Sequence, residues 1–152
     1  MSAAAEKPKI SYWHLWTGDD GLTHQTRCEL TQFEMGSVGG KAAPQWNDPL
    51  PVGDTTIVFC VLPVGWNGDW HENPKPQWIG VLSGRWFVES TDGTRVEMGP
   101  GDLAFGGDQN AKPDKAGRVG HRSGTIGDEA CSLMTVRLNE PRWVGAKPGA
   151  FK

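Results

Sequence analysis

Short apolar segments alternate with breaks rich in Gly, Pro, Asn and Asp along the chain, and no stretch keeps the three-to-four-residue apolar spacing of an amphipathic helix. The β-rich segments run Ile10 to Trp16, Thr23 to Phe33, Thr55 to Pro63, Gln77 to Leu82, Arg85 to Ser90, Thr94 to Met98, Asp102 to Phe105, Gly120 to Ile126 and Cys131 to Leu138. Gly18-Asp19-Asp20-Gly21, Ser83-Gly84 and Asp92-Gly93 separate several of them, and Asp-Gly between two β-rich runs favours a hairpin. Trp78-Ile79-Gly80-Val81-Leu82 and Arg85-Trp86-Phe87-Val88 are apolar on both faces, so neither face is fully wet. The pattern predicts a single all-β domain over residues 1–152, a sandwich or closed barrel with at most a few turns of helix. Residues 36–50 and 106–117 break the pattern and read as long loops, which on a small barrel often cover its mouth. Residues 1–9 read as a frayed terminus.

Composition narrows the functional classes. A chain of 152 residues has room for one core, and 21 Gly with 11 Pro supply many turns. Its 15 basic and 18 acidic residues are scattered, with no basic stripe to neutralise phosphates, which argues against a nucleic-acid partner. No apolar run reaches signal-peptide or membrane-spanning length, so a cytoplasmic protein with no membrane partner is expected. Cys28, Cys60 and Cys131 are odd in number and widely spaced, which fits small buried hydrophobes better than disulfides or a zinc knuckle. Eight tryptophans stand where about two are expected. Core and subunit packing would use them, and so would a pocket for an aromatic or ring-shaped ligand.

Candidate chemistry concentrates between Gly65 and Gly84. By β alternation His71 and Asn73 share a face, and Gln77 rejoins it after a bend enforced by Pro74 and Pro76, while Trp70 and Trp78 point the other way. A tight turn at Gly99-Pro100-Gly101-Asp102 and the pair Gly120-His121 follow. The spacing of Gly65, His71, Asn73, Gln77 and Gly84 resembles the first cupin motif, G-x5-H-x-H-x3,4-E-x6-G, and Pro100-Gly101-Asp102 resembles the opening of the second. The resemblance covers residues 55–138. It implies a cupin barrel, jelly-roll-like and antiparallel, a small organic ligand or substrate in its interior, and a homodimer.

Metal-binding cupins use two histidines and a glutamate of the first motif and one histidine of the second. Here the second histidine is Asn73 and the glutamate is Gln77. The second-motif position falls on Lys112, with His121 nine residues later, which implies an inserted loop. Amide oxygens are neutral, weak donors to transition metals, so His71, Gln77, His121 and Asn73 would hold a divalent ion such as Fe, Zn, Ni or Mn weakly or not at all. His14 or His24 could restore a third imidazole only by entering the interior.

With a metal, the resemblance implies dioxygenase, lyase, isomerase or cyclase chemistry. Without one, His71 and His121, assisted by Gln77, could move protons. A binding cupin without catalysis is the alternative. Purely structural roles stand beside these: hydrogen-bonded core histidines at 71 and 121, amides at 73 and 77 that tie down the Pro-rich bend, an Asp102 that bonds its own turn, and structural or exposed His14 and His24.

Overall fold

The computed structural model describes residues 6–152. Part of the expected frayed terminus, residues 1–5, lies outside the described residues. Residues 6–9 have no regular structure, although Lys7 pairs with Glu34 and Lys9 with Glu29.

Eleven strands follow in order: β1 (Ile10–Thr17), β2 (Thr23–Leu30), β3 (Glu34–Gly36), β4 (Gln45–Asn47), β5 (Thr55–Leu62), β6 (Gln77–Ser83), β7 (Arg85–Ser90), β8 (Arg95–Met98), β9 (Leu103–Gly107), β10 (His121–Ile126) and β11 (Cys131–Leu138). A single 3-10 turn, Pro141–Trp143, is the only helical element among the described residues. The chain is all-β, as its apolar pattern implies. Two segments read as loops are partly strand. Residues 36–50 contain β4, which pairs with β3, and Gly106 and Gly107 extend β9. The segment expected to reach Phe33 stops at Leu30.

Six strands form one sheet in the order β2-β1-β9-β6-β11-β5, and three form a second in the order β10-β7-β8. Every pairing is antiparallel except one. β1 runs parallel to β9, with Trp13 opposite Ala104 and Trp16 opposite Gly107, which corrects the expectation of a wholly antiparallel barrel. A parallel neighbour requires a long crossover, and here the intervening strands supply it.

The inward residues of both sheets make one core. Leu15, Ile79, Val81, Ala104 and Leu133 of the larger sheet meet Trp86, Val88, Val96 and Met98 of the smaller. Gln25 of β2 ties the sheets together, its amide donating to the carbonyls of Val88 (3.0 Å) and Thr94 (3.2 Å).

A second apolar cluster lies on the outer face of the larger sheet. Tyr12, Leu30, Phe33, Phe105 and Leu138 are buried there under the C-terminal segment, whose Phe151 meets Trp78, Phe105 and Trp143 at 5.0, 4.8 and 5.0 Å between ring centroids. This explains why β1 and β9 are apolar on both faces. The three cysteines are free, Cys131 buried and Cys28 and Cys60 half-buried. No helix among the described residues is long and apolar enough to cross a membrane.

Candidate functional site

Segment 65–76 is not a regular strand; it runs antiparallel along β10, the edge of the smaller sheet, through isolated bridges at Asn67 with Gly124 and His71 with His121. His71 and His121 exchange both backbone hydrogen bonds at 2.9 Å. The approach depends on Gly120, which has φ +74° and whose missing side chain would collide with the His71 carbonyl. Gly120-His121 thus works as a unit: the glycine admits the neighbouring backbone, and the histidine follows it into the barrel.

His121 is buried at 5% exposure, and its Nδ1 donates to the Asp108 carboxylate at 2.7 Å. Asp108 is fully buried. Burial by itself would raise its carboxyl pKa, but the charge and hydrogen bond of His121 and two N–H donors of Asn73, backbone and side chain, both at 2.9 Å, outweigh it. The carboxyl is held below its ordinary range. An ionised Asp108 fixes the His121 tautomer with the proton on Nδ1, which leaves Nε2 as the basic nitrogen. His71 is oriented in the same sense: its Nδ1 donates to the Asp69 carbonyl at 2.7 Å, and its Nε2 is also left with the lone pair. The two rings lie 4.7 Å apart between centroids, tilted by 48°. Because His71 is exposed and His121 buried, the pair runs from the surface into the barrel wall.

The two amides are engaged with each other. Gln77 Nε2 donates to Asn73 Oδ1 at 2.9 Å, and Arg137 Nε approaches Gln77 Oε1 at 3.4 Å. Gln109, 5% exposed, closes the network by donating to the carbonyls of Asn73 and Gly106, each at 3.1 Å.

Inside, His121 and Asn73 line a cavity of about 20 Å³ with Gln25, Trp13, Trp86 and Met98. That is room for one or two waters. The Trp86 indole N–H is buried without a hydrogen-bond partner among the described residues.

Alternation along residues 71–77 correctly brings Asn73 and Gln77 together, but His71 does not join them inside. The segment is irregular there, and its ring lies exposed over His121. His14 is fully buried on the opposite face of β1, its Nε2 donating to the Ala146 carbonyl at 2.7 Å. His24 packs against Trp16 with the rings tilted by 32° and meets Asp92 at 3.1 Å. Neither reaches the cavity. Asp102 accepts the Gly99 N–H at 2.8 Å and closes its own turn. Trp78 packs in the outer cluster, and Trp70 lies under the Arg118 guanidinium. The residue that sequence reasoning missed is Asp108, hidden in a polar stretch read as a loop. Its only local signal is an acid just after an apolar strand that ends in two glycines.

A divalent ion fits this donor set poorly. The Asn73 and Gln77 oxygens already accept hydrogen bonds, Asp108 is turned onto Nδ1 of His121, and what remains is the Nε2 atoms of two imidazoles. Among the described residues no group of three His, Cys, Asp or Glu side chains could hold a metal.

Two facing sheets with a histidine pair at one end make the chain an all-β barrel, and its Gly65-to-Gly84 spacing resembles the first cupin motif. Three solved structures are distantly similar to the chain. The cupin domain of Cnp3 from Schizosaccharomyces pombe aligns over 92% of this chain and 93% of its own, at 14% identity and a TM-score of 0.45. A Cupin 2 conserved barrel domain protein from Salinispora arenicola aligns over 74% and 79%, at 18% identity and a TM-score of 0.43. A structure described as ethanolamine utilization protein q from Salmonella typhimurium aligns over 91% and 99%, at 16% identity and a TM-score of 0.38. Likeness this distant carries nothing about activity. No protein-family model and no curated protein matches the chain.

Proposed function

We propose that this chain is a small-molecule enzyme that moves a proton by histidine acid-base chemistry at one end of a cupin-type barrel. The observation that carries the reading is the 2.7 Å hydrogen bond from His121 Nδ1 to a fully buried Asp108. A carboxylate costs several kcal/mol to bury, and one aimed at Nδ1 holds the ring in one direction with the lone pair on Nε2. His121 is then the base that takes a proton at Nε2 and later releases it to water, and His71, open to solvent, takes a proton from water at its Nε2 and returns it to the substrate. Asn73 and Gln77 act as positioning residues that hold Asp108 in place.

The substrate is a small and largely apolar molecule, because the cavity beside His121 is lined by Trp13, Trp86 and Met98. An acceptor atom on it would satisfy the unpaired Trp86 N–H. The present cavity is too small for a whole ligand, so the reacting carbon sits near the His71–His121 pair and the apolar part enters as the tryptophans yield.

The test begins with a thermal-shift screen for small carbonyl compounds that stabilise the protein. Hits are then followed in D2O by proton NMR for exchange of an acidic C–H. His121→Gln and Asp108→Asn are each expected to slow exchange by roughly 10² to 10⁴ fold while the hit still binds. Binding without exchange by the unaltered protein would leave a binding cupin, and unaltered exchange in His121→Gln would remove that residue from the chemistry.

A further inference from the structure

A second concavity lies on the surface, away from the histidine pair and across Gln109 from the Asn73 network. Its volume is about 260 Å³, and three segments distant in sequence build it: the end of β1 with the turn after it (Thr17, Gly18, Asp19, Gly21), the loop after β9 (Gln109, Asn110, Lys112) and the C-terminal segment (Gly145, Lys147). We propose that it binds the oxyanion group of a small molecule, a phosphate or a carboxylate.

Three observations point there. The Thr17 hydroxyl, in a residue only 7% exposed, has no hydrogen-bond partner among the described residues, and a buried hydroxyl without a partner costs about 1–3 kcal/mol. The Lys112 stem is held across Gly21, and its backbone N–H donates to the Gly21 carbonyl at 3.0 Å, so the lysine is anchored while its ammonium makes no ion pair among the described residues. Lys147 brings a second ammonium from the opposite rim, paired only with Asp19, whose side chain is 98% exposed. Such an exposed pair is weak and readily exchanged for a better anion.

The charges facing the concavity are therefore two lysines against Asp19. Glu72 is occupied by the Ala111 N–H at 3.1 Å. An oxyanion here would accept from both ammonium groups and, once the buried Thr17 side chain turns toward the concavity, from its hydroxyl, and would displace Asp19. Gln109 forms the wall between the two sites: its Oε1 accepts the Gly145 N–H at 2.9 Å while its amide nitrogen donates to Asn73 O. An occupant is thus one side chain from the candidate catalytic network.

The test is a two-dimensional amide NMR titration of the whole chain with sodium phosphate and, separately, with succinate, at ionic strength held constant with sodium chloride. Saturable shifts confined to residues 17–21, 109–112 and 145–147 are expected below about 10 mM, the weak end of specific binding. Saturation by phosphate alone, or by succinate alone, assigns the anion. Lys112→Ala and Lys147→Ala are each expected to weaken binding by roughly tenfold. Asp19→Asn frees Lys147 and should tighten it severalfold. Thr17→Val should weaken binding without lowering the unfolding temperature, because the hydroxyl it removes has no partner to lose; Thr17→Ser keeps the hydroxyl and should restore affinity if the valine variant folds poorly. Absence of saturation with both anions, or unchanged binding in a Lys112→Ala, Lys147→Ala double variant, overturns the proposal.

Discussion

Asp108 is where one side chain has the most influence on its surroundings, since it accepts from His121 and twice from Asn73 with no exposure to water. Removing it as Asp108→Ala leaves three buried donors unpaired, and a loss of about 3–5 kcal/mol in urea-unfolding stability is expected. The pH dependence has a definite sign. With the folded pKa below the usual carboxylate value, its stabilisation is complete above that value and fades as pH falls through the lower folded value. Gly106 sets a second dependence, because a Cβ there would fall on the Asn73 amide. Gly106→Ala is expected to keep the β-rich circular dichroism spectrum yet reduce C–H exchange as Asp108→Asn does, through displacement of Asn73. The motif spacing singled out Asn73 and Gln77, which lie four residues apart on one bend and are hydrogen-bonded, whereas His121 stands nine residues beyond the position the second motif predicts. It could not locate Asp108, which meets His121 only once the end of β9 in one sheet and the start of β10 in the other are brought together.

The C-terminal segment acts as a strap over the outer face of the larger sheet, fastened by Phe151 and by the hydrogen bond from His14 to Ala146. Burial lowers the His14 pKa, partly opposed by that bond. A neutral, buried His14 contributes stability that is complete above the ordinary histidine value and is lost as pH falls through its depressed folded value. Unfolding midpoints measured between about pH 7 and 5 should therefore fall with acidity, and His14→Phe should flatten that slope at a cost of about 1 kcal/mol at neutral pH from the unpaired Ala146 carbonyl. Elements with clear two-residue alternation or dense β-branched content, β1, β5, β7 and β11, were legible in the sequence almost to their ends. β4 was not, because three residues among Gly and Pro carry no periodicity, and its strand character comes from pairing with β3. The strap is likewise invisible locally: Trp143 and Phe151 look like scattered aromatics until the outer face of β1 and β9 is known to be apolar.

At the scale of the molecule, one side of the larger sheet remains open. β5 is its edge strand, and Ile57, Phe59 and Val61 are exposed along it, with Val64 and Leu82 exposed as well. An exposed apolar edge invites pairing with another chain, and a second copy is the simplest partner for a closed assembly. Sedimentation of the unaltered protein is expected to give a dimer and of Phe59→Glu a monomer; a monomeric unaltered protein would contradict the expectation. The parallel seam between β1 and β9 has a consequence in time as well as in space. β1 finds its central neighbour about ninety residues further along the chain, so the larger sheet cannot close until most strands have been made and arranged. Closing so long a loop before any native contact repays it is slow, and folding in milliseconds to seconds rather than microseconds is expected. Through that interval β5 and β1 both present bare edges, and an early-formed β7–β8 hairpin, whose strands are neighbours in sequence, gives the chain a local nucleus on which to wait.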